Sequence, residues 1–339
     1  MNHTAAQPKY TSSPVRSLAA LSRSLGLSVA ELQRIGDAAS SLYRDAKPII
    51  KVDGSIRRTF DAFPVLKNIH RRLQTQFFQR VVFPDYLTGS LKGRDARRNA
   101  ALHTGAAIVV TEDIKNFFPS TDAKVVYSIW ANFFRFAPEV ARLLTALTVK
   151  DGALPQGAIT SSYLANLAFW DREWRLYENL RDKGISYSRY VDDVTFSSKE
   201  KLSNERIGCC IAGVYGLMAA KGLKAKRSKH EIRRGNGRML TTKLMVNTRP
   251  ALMTRERQNI RAAVHQLEVL SRWNSTDSVS FKSEFSRVSG RVGRLSQLHP
   301  MEGAALRARL ATLRAGLYAN QQLGRQLSQF AGVTLDCVI

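Results

Sequence analysis

The sequence predicts an α+β protein, with a mixed strand-and-helix centre flanked by basic helical lobes. Three observations carry that prediction. The run Ala107-Ile108-Val109-Val110-Thr111 is short, continuous and apolar, which is the pattern of a buried strand. Ile185 to Val191 alternates, and Val194-Thr195-Phe196 resumes the pattern after two aspartates, which reads as a hairpin. On either side, apolar residues recur every three or four positions among Lys and Arg, the period of a helix.

Taken in order, the first ten residues are polar and read as frayed. Ser13 to Asp45 reads as two helices, one with Leu18, Leu21 and Leu25 on a face, the next capped by Ser28 and running through Val29, Leu32 and Ile35. Such a pair can read DNA as a helix-turn-helix, but its commoner use is packing. Residues 56 to 80 carry Phe60, Phe63, Leu66, Ile69, Leu73 and Phe77 at helical spacing, an amphipathic basic helix with Pro64 as a candidate break. Pro84, Gly89 and Gly93 then punctuate a loop-rich stretch up to Arg98. Helical patterns follow at 122 to 136 and 138 to 148. Leu154-Pro155-Gln156-Gly157 is a turn, and Ala158 to Leu180 reads as one helix. A further helix is expected over 204 to 221, a strand within Met239 to Val246, and basic helices from Met253 onward with Ile260, Val264, Leu267 and Leu270 on one face.

Charge narrows the partners. The 339 residues hold 52 Lys and Arg against 27 Asp and Glu, a formal charge of +25, while 44% apolar content supplies real cores. Residues 51 to 103 hold eleven cations and four acids, and 221 to 261 hold thirteen and two. Clustered cations of this kind suit a polyanion, bound through phosphate neutralisation in a salt-sensitive and sequence-blind way. Solvated faces that aid solubility are the bland alternative. The basic segments lack the long amphipathic pattern with aromatic anchors of an interfacial helix. No run approaches the ~18 apolar residues that span a bilayer, and Met1-Asn2-His3-Thr4 lacks the apolar core of a secretory signal. The expectation is a soluble cytoplasmic protein with no membrane partner. Its cysteines, the adjacent Cys209 and Cys210 and the distant Cys337, form neither a disulfide framework nor a metal knuckle and are expected reduced and buried.

Acids are scarce, so their placement is informative. Asp113 ends one apolar strand and Asp192-Asp193 interrupt the hairpin. Two carboxylates ~4 Å apart repel by roughly 4 kcal/mol at an effective dielectric of about 20. A divalent cation removes that penalty, and hard oxygen donors in small number describe a magnesium site. An exposed hairpin turn, where Asp-Asp is common, is the alternative.

At these residues the sequence resembles the reverse transcriptases. Tyr190-Val191-Asp192-Asp193 is similar to the family's Tyr-x-Asp-Asp box. Asp113-Ile114-Lys115-Asn116-Phe117-Phe118-Pro119-Ser120 resembles its first-aspartate motif, and Leu154-Pro155-Gln156-Gly157 its Leu-Pro-Gln-Gly turn. Gly222 to Lys229 resembles the glycine-to-lysine segment, and Met239 to Asn247 the primer-grip hairpin. These five boxes stand in the family's order over residues 55 to 250. Within the family, Asn99-Ala100-Ala101-Leu102-His103 is similar to the Asn-Ala-x-x-His element of retron enzymes. Two departures stand out: Thr241-Thr242-Lys243 where retrons carry Val-Thr-Gly, and Ile159 and Ser162 where prolines are common elsewhere. Related bacterial defence-type enzymes share the boxes.

The resemblance implies a right-hand polymerase: a helical extension over 1–50, fingers over 51–105, a palm over 106–250 with the remaining fingers elements, and a basic helical thumb over 251–339. It implies an RNA-directed DNA polymerase that copies a structured noncoding RNA, with Asp113, Asp192 and Asp193 around two Mg2+ ions for which Mn2+ can substitute. Neighbouring strand residues face opposite ways, so Asp192 is favoured over Asp193 as a ligand unless the turn twists. Phe118 would be the gate beneath the incoming sugar, excluding a 2′-hydroxyl, with Phe117 in the core. Gln156 and Gly157 would lie beside the nucleotide. Lys229 matches a lysine near the leaving pyrophosphate, though plain RNA binding suits it equally. Lys92 and Arg94 are candidates for triphosphate contacts or for template backbone. Asn99 and His103, four apart, share a helical face and either touch RNA or bond within the fold. Arg287, Arg291 and Arg294 form a stripe that could track a duplex or simply face solvent. The implied partners are a noncoding RNA, an RNA/DNA duplex, deoxynucleoside triphosphates and an accessory effector in defence against phage. A catalytically idle RNA-binding scaffold and a template-independent DNA polymerase are the competing readings.

Overall fold

A computed structural model of the chain describes residues 6–46, 48–50, 54, 56–235, 237–273 and 279–331, the side chains of 273 and 316–331 excepted. Cys337 lies outside them. The chain divides into two compact units, Met1–Thr242 with Val246–Thr248, and Lys243–Met245 with Arg249–Ile339. The expected boundaries after residues 50 and 105 fall inside the first.

The first unit opens with β1 (Lys9–Tyr10), which is paired and not frayed as expected: Tyr10 wedges its ring against Phe134, centroids 4.8 Å apart. Helices α1 (Leu18–Leu25) and α2 (Val29–Asp37) follow. Ser28 caps α2 in a reciprocal box with Glu31, as the sequence proposes. Then come β2 (Tyr43–Asp45), β3 (Ile49–Ile50), β4 (Ile56–Arg57) and β5 (Phe60–Ala62), with β2 paired to β5 and β3 to β4. The single helix expected over 56 to 80 is corrected here. Pro64 does not break a helix but starts one, α3 (Pro64–Gln76), because its missing N–H costs nothing in the first turn. β6 (Val81–Val82) pairs with β1.

After α4 (Ala96–Ala101) the chain enters β7 (Ile108–Asp113), then the short α5 (Phe117–Ser120), α6 (Ala123–Ser128) and α7 (Pro138–Thr148). The helix expected over 158 to 180 is two, α8 (Ser161–Leu167) and α9 (Glu173–Asp182). The break lets Glu173 turn its carboxylate into the interior, a tertiary demand that overrides local propensity. β8 (Ser186–Tyr190) and β9 (Asp193–Ser198) form the expected hairpin, followed by α10 (Asn204–Ala219), β10 (Glu231–Arg234) and β11 (Leu240–Thr241). One sheet in the order β10-β7-β9-β8, antiparallel throughout, carries the candidate site. Beneath α3 and α7 lies an aromatic core in which Trp130, fully buried, stacks on Phe134 at 4.8 Å and meets Phe78 at 5.3 Å. Each such ring contributes about 1.5–3 kcal/mol by burial alone. Cys210 is buried in α10 as expected, but Cys209 is exposed because the next helical position points outward.

The second unit holds β12 (Leu244–Met245), α11 (Thr254–Trp273), α12 (Val279–Leu298) and α13 (Pro300–Ala331). Ile260, Val264 and Leu267 of α11 are buried, whereas Leu270, expected on the same face, is exposed. Phe281, Phe285, Val288, Val292 and Leu295 repeat every three or four residues and bury one face of α12. No helix is long and apolar enough to cross a membrane among the described residues.

Candidate active site

β7 runs out at Asp113 and β9 begins at Asp193, and the antiparallel register sets these two residues directly opposite each other. Ile114 N donates to Asp192 O at 2.9 Å, so the second aspartate is tied to the same strand end. Opposed side chains have Cβ atoms ~4.5–5.5 Å apart, where like charges repel. Asp113 is 4% exposed. Burial, followed by the charge of Asp113, raises the pKa of Asp192 above the ordinary aspartate value; burial, Asp192 and Asp113 raise that of Asp193. Two cations oppose this. Lys229 Nζ donates to Asp113 Oδ2, and Arg57 lies within electrostatic reach of Asp192. Burial disfavours the charged ammonium, but the bond to Asp113 and the three carboxylate charges outweigh it and raise the pKa of Lys229.

Among the described residues no three His, Cys, Asp or Glu side chains stand ready-arranged around a metal position, and one oxygen of Asp113 is engaged by Lys229. The donor chemistry nevertheless fits a hard divalent cation: carboxylate oxygens only, gathered by backbone pairing, with more negative charge than their neighbours neutralise. Lys229, whose side chain is 48% exposed, has solvent to move into.

The turn between β8 and β9 is unusual. Val191 is 8% exposed and holds φ at 61°, in the left-handed region that a β-branched residue rarely enters, at a cost of about 1–3 kcal/mol. The turn is gripped from both sides. On one, Thr88 N donates to Arg189 O at 2.9 Å and Gly89 presses on the turn so closely that a Cβ there would sit 2.6 Å from Val191 N. On the other, the guanidinium of Arg189, 0% exposed, donates to Val191 O at 3.0 Å and forms a two-point ion pair with Glu173, Nε to Oε1 at 2.6 Å and Nη2 to Oε2 at 2.8 Å.

The remaining sequence-proposed residues fall into two groups. Phe118 is half-buried on α5 beside Phe117, which stacks in the core on Phe169 at 5.9 Å. Gln156 is half-buried, and its carbonyl accepts from Phe60 N at 2.8 Å. Gly157, at φ 113°, approaches backbone: an added Cβ would lie 2.5 Å from Phe60 O. Lys92 is exposed.

Arg94 requires correction as a nucleotide ligand. Its side chain is 13% exposed and its guanidinium donates to Phe83 O at 2.6 Å, Leu87 O at 2.5 Å and Pro84 O, pinning its own loop. Asn99 and His103 require correction as RNA contacts, being 0% and 1% exposed. Asn99 accepts from Thr88 Oγ1 at 2.6 Å and donates to Thr241 Oγ1 at 3.1 Å. The His103 ring bonds Ser197 at 2.8 Å and Ser188 at 2.7 Å, bridging β9 and β8. The fold-internal alternative for this pair is therefore the one the geometry realises. In the second unit Arg287 pairs with Glu284 and Arg294 with Glu256, at the surface where such pairs contribute little; Arg291 is half-buried.

Three residues near the site escape sequence reasoning. Arg189 and Glu173 look like ordinary surface charges of a strand and a helix start. Only the oddity of an arginine that shares one face of an alternating strand with Tyr187 and Val191 signals a buried role. Arg57 is hidden by the misread helix at its position.

No protein-family model matches the chain. Among curated proteins it is 34% identical over 311 residues to the Retron Se72 reverse transcriptase of Salmonella heidelberg (strain 579083-10), covering 91% of this chain and 82% of that one. It is 30% identical over 302 residues to the Retron Ec48 reverse transcriptase of Escherichia coli, covering 85% and 74%. Among solved structures, an apo telomerase of Candida Tropicalis truncated from its C-terminal domain gives a TM-score of 0.41 at 11% identity, over 67% of this chain and 61% of that one, too remote to bear on fold or function. The class so defined is an RNA-directed DNA polymerase. The chain belongs to the retron reverse transcriptase family.

Proposed function

We propose that the chain copies a structured noncoding RNA into DNA by two-magnesium nucleotidyl transfer, in a right-hand arrangement with fingers over 51–105, palm over 106–250 and thumb over 251–339. The observation that carries this is the register of β7 on β9, which sets Asp113 opposite Asp193 and ties Asp192 to Ile114. Asp113 and Asp192, joined by Asp193, are the residues that would hold the ions, with Mn2+ as a substitute. When bound, such ions sharpen a primer hydroxyl and neutralise charge on the transferring phosphoryl oxygens.

The chain's own groups do the rest. Phe118, held against Phe117, presents a ring where a ribose 2′-hydroxyl would sit, and so selects deoxynucleotides. Gln156 and Gly157 bound the nucleotide site from the turn that meets β5. Arg57 and the exposed Lys92 offer charge to the triphosphate, and Lys229, on leaving Asp113, offers a proton-bearing ammonium to the departing pyrophosphate. Arg287, Arg291 and Arg294 lie along one basic helix suited to duplex backbone. By likeness to its relatives, the template would be a dedicated RNA, the compartment the cytoplasm, and the setting defence against phage with an effector partner.

The test is incorporation of deoxynucleotides on an RNA template with magnesium. Asp192→Asn should lower it by more than about 10³-fold while RNA binding persists. Equal activity in the variant would remove Asp192 from the reacting centre, no incorporation by the unmutated chain despite RNA binding would leave the scaffold reading, and products made without supplied template would favour template-independent addition.

A further inference from the structure

We infer that Arg189 is a positioning residue of the polymerase: braced by Glu173, it holds the strained turn at Val191 and thereby fixes the carboxylate of Asp192 relative to Asp113. The inference rests on the proposed role of those aspartates and adds a group that touches neither substrate nor metal.

A guanidinium carries five N–H donors in a rigid fork. Here each meets an acceptor: Glu173 Oε1 at 2.6 Å and Oε2 at 2.8 Å, Val191 O at 3.0 Å, Asn166 O at 2.9 Å and Ala165 O at 3.4 Å. The acceptors come from three places that the active site needs in register. Val191 is the turn itself. Ala165 and Asn166 belong to α8, which follows the Leu154-to-Gly157 turn. Glu173 starts α9, and Tyr187 OH also donates to it at 2.8 Å. The guanidinium further lies 5.2 Å from the Phe169 ring and 5.9 Å from that of Phe117, the neighbour of the proposed sugar gate.

The bonds close into a loop. Asn166 Nδ2 donates to Gly89 O at 2.9 Å, Gly89 abuts Val191 N, and Val191 O returns to Arg189. A left-handed valine persists only where its surroundings over-determine it, and this ring does so. A merely structural ion pair has no need to bond the carbonyl of the one strained residue beside Asp192. Lysine cannot replace this arginine, since a single ammonium cannot span acceptors on three elements.

The test uses the full chain. Arg189→Met combined with Glu173→Gln removes both charges and leaves Tyr187 an acceptor. We expect a cooperative unfolding transition, but amide exchange over residues 190–193 of the metal-free protein about tenfold faster or more, with 108–112 unchanged. On a primed RNA template kcat should fall about 10–100-fold while KM for the deoxynucleotide stays within about twofold. Adding Val191→Gly, which adopts the turn without a brace, should restore most of the kcat. If the double variant does not fold, the same coupling is read from Arg189→Lys with and without Val191→Gly, the loss being several-fold smaller with the glycine. Unchanged exchange and kcat in a folded variant, or a loss that the glycine does not relieve, overturns the inference. An unmutated chain inactive on RNA but with the expected exchange pattern would instead sink the polymerase reading and leave the brace standing.

Discussion

Two groups of charge meet on one hairpin, the first fully buried and the second partly so, and are built on opposite principles. Around Arg189 every donor has an acceptor and the charge is matched by Glu173. A few residues on, Asp192 and Asp193 face Asp113 with like charges; burial and then Asp113 raise the pKa of Asp192, and burial, Asp192 and Asp113 raise that of Asp193. The first arrangement makes the fold definite; the second is left under tension, which is the state expected of groups kept for a ligand that is not part of the chain. Their adjacency is economical, because the satisfied group supplies the rigidity that the repelling group cannot supply for itself.

The contrast is sharpened by substitutions of opposite sign. The largest effect belongs to Glu173→Ala, which strands a buried guanidinium and should cost about 3–5 kcal/mol in denaturant unfolding. A loss under about 1 kcal/mol would show that water reaches Arg189 and break the comparison. Next comes acid. Burial lowers the pKa of His103 to about 3 and of His70 to about 4, the latter despite its Nε2 bond to Leu147 O. Both stay neutral in the fold while the unfolded chain takes up protons below about pH 6.5. Their stabilisation is therefore whole above pH 6.5 and is lost as pH falls, toward 4 for His70 and toward 3 for His103, each contributing about 1.4 kcal/mol per pH unit across its window. His103→Gln should flatten the decline of stability measured between pH 7 and 5; parallel slopes in variant and parent would refute the burial of this ring. The smallest effect is Asp193→Asn, which relieves repulsion and should stabilise the metal-free protein by about 1 kcal/mol while lowering activity. A fall in the melting temperature would mean that the three carboxylates do not oppose each other.

What could be read in the sequence was what local pattern encodes. The strand at Ile108–Asp113, the hairpin at Ser186–Ser198 and the aspartates at their ends follow from apolar period and the placing of rare acids. The misreadings share a cause in distance. Glu173 breaks the helix expected through Leu180 in order to meet Arg189, sixteen positions later, and no local signal announces that need. Arg94 looks like a loop cation because nothing nearby in sequence shows that three carbonyls enclose it. The spacing of Asn99 and His103 puts them on one face, but whether that face meets RNA or the interior depends on Thr241, Ser188 and Ser197, far along the chain. Pro64 is ambiguous in sequence for a different reason: the same ring that ends one helix is well suited to begin another.

The pairing of Arg189 with Glu173 also constrains how this sequence can drift. Changing either residue first leaves a lone ion in a dry interior, so a lineage moving one codon at a time would pass through a chain that folds poorly. The two positions must change together or not at all, and the Tyr-x-Asp-Asp neighbourhood is held in place by residues that carry none of its chemistry.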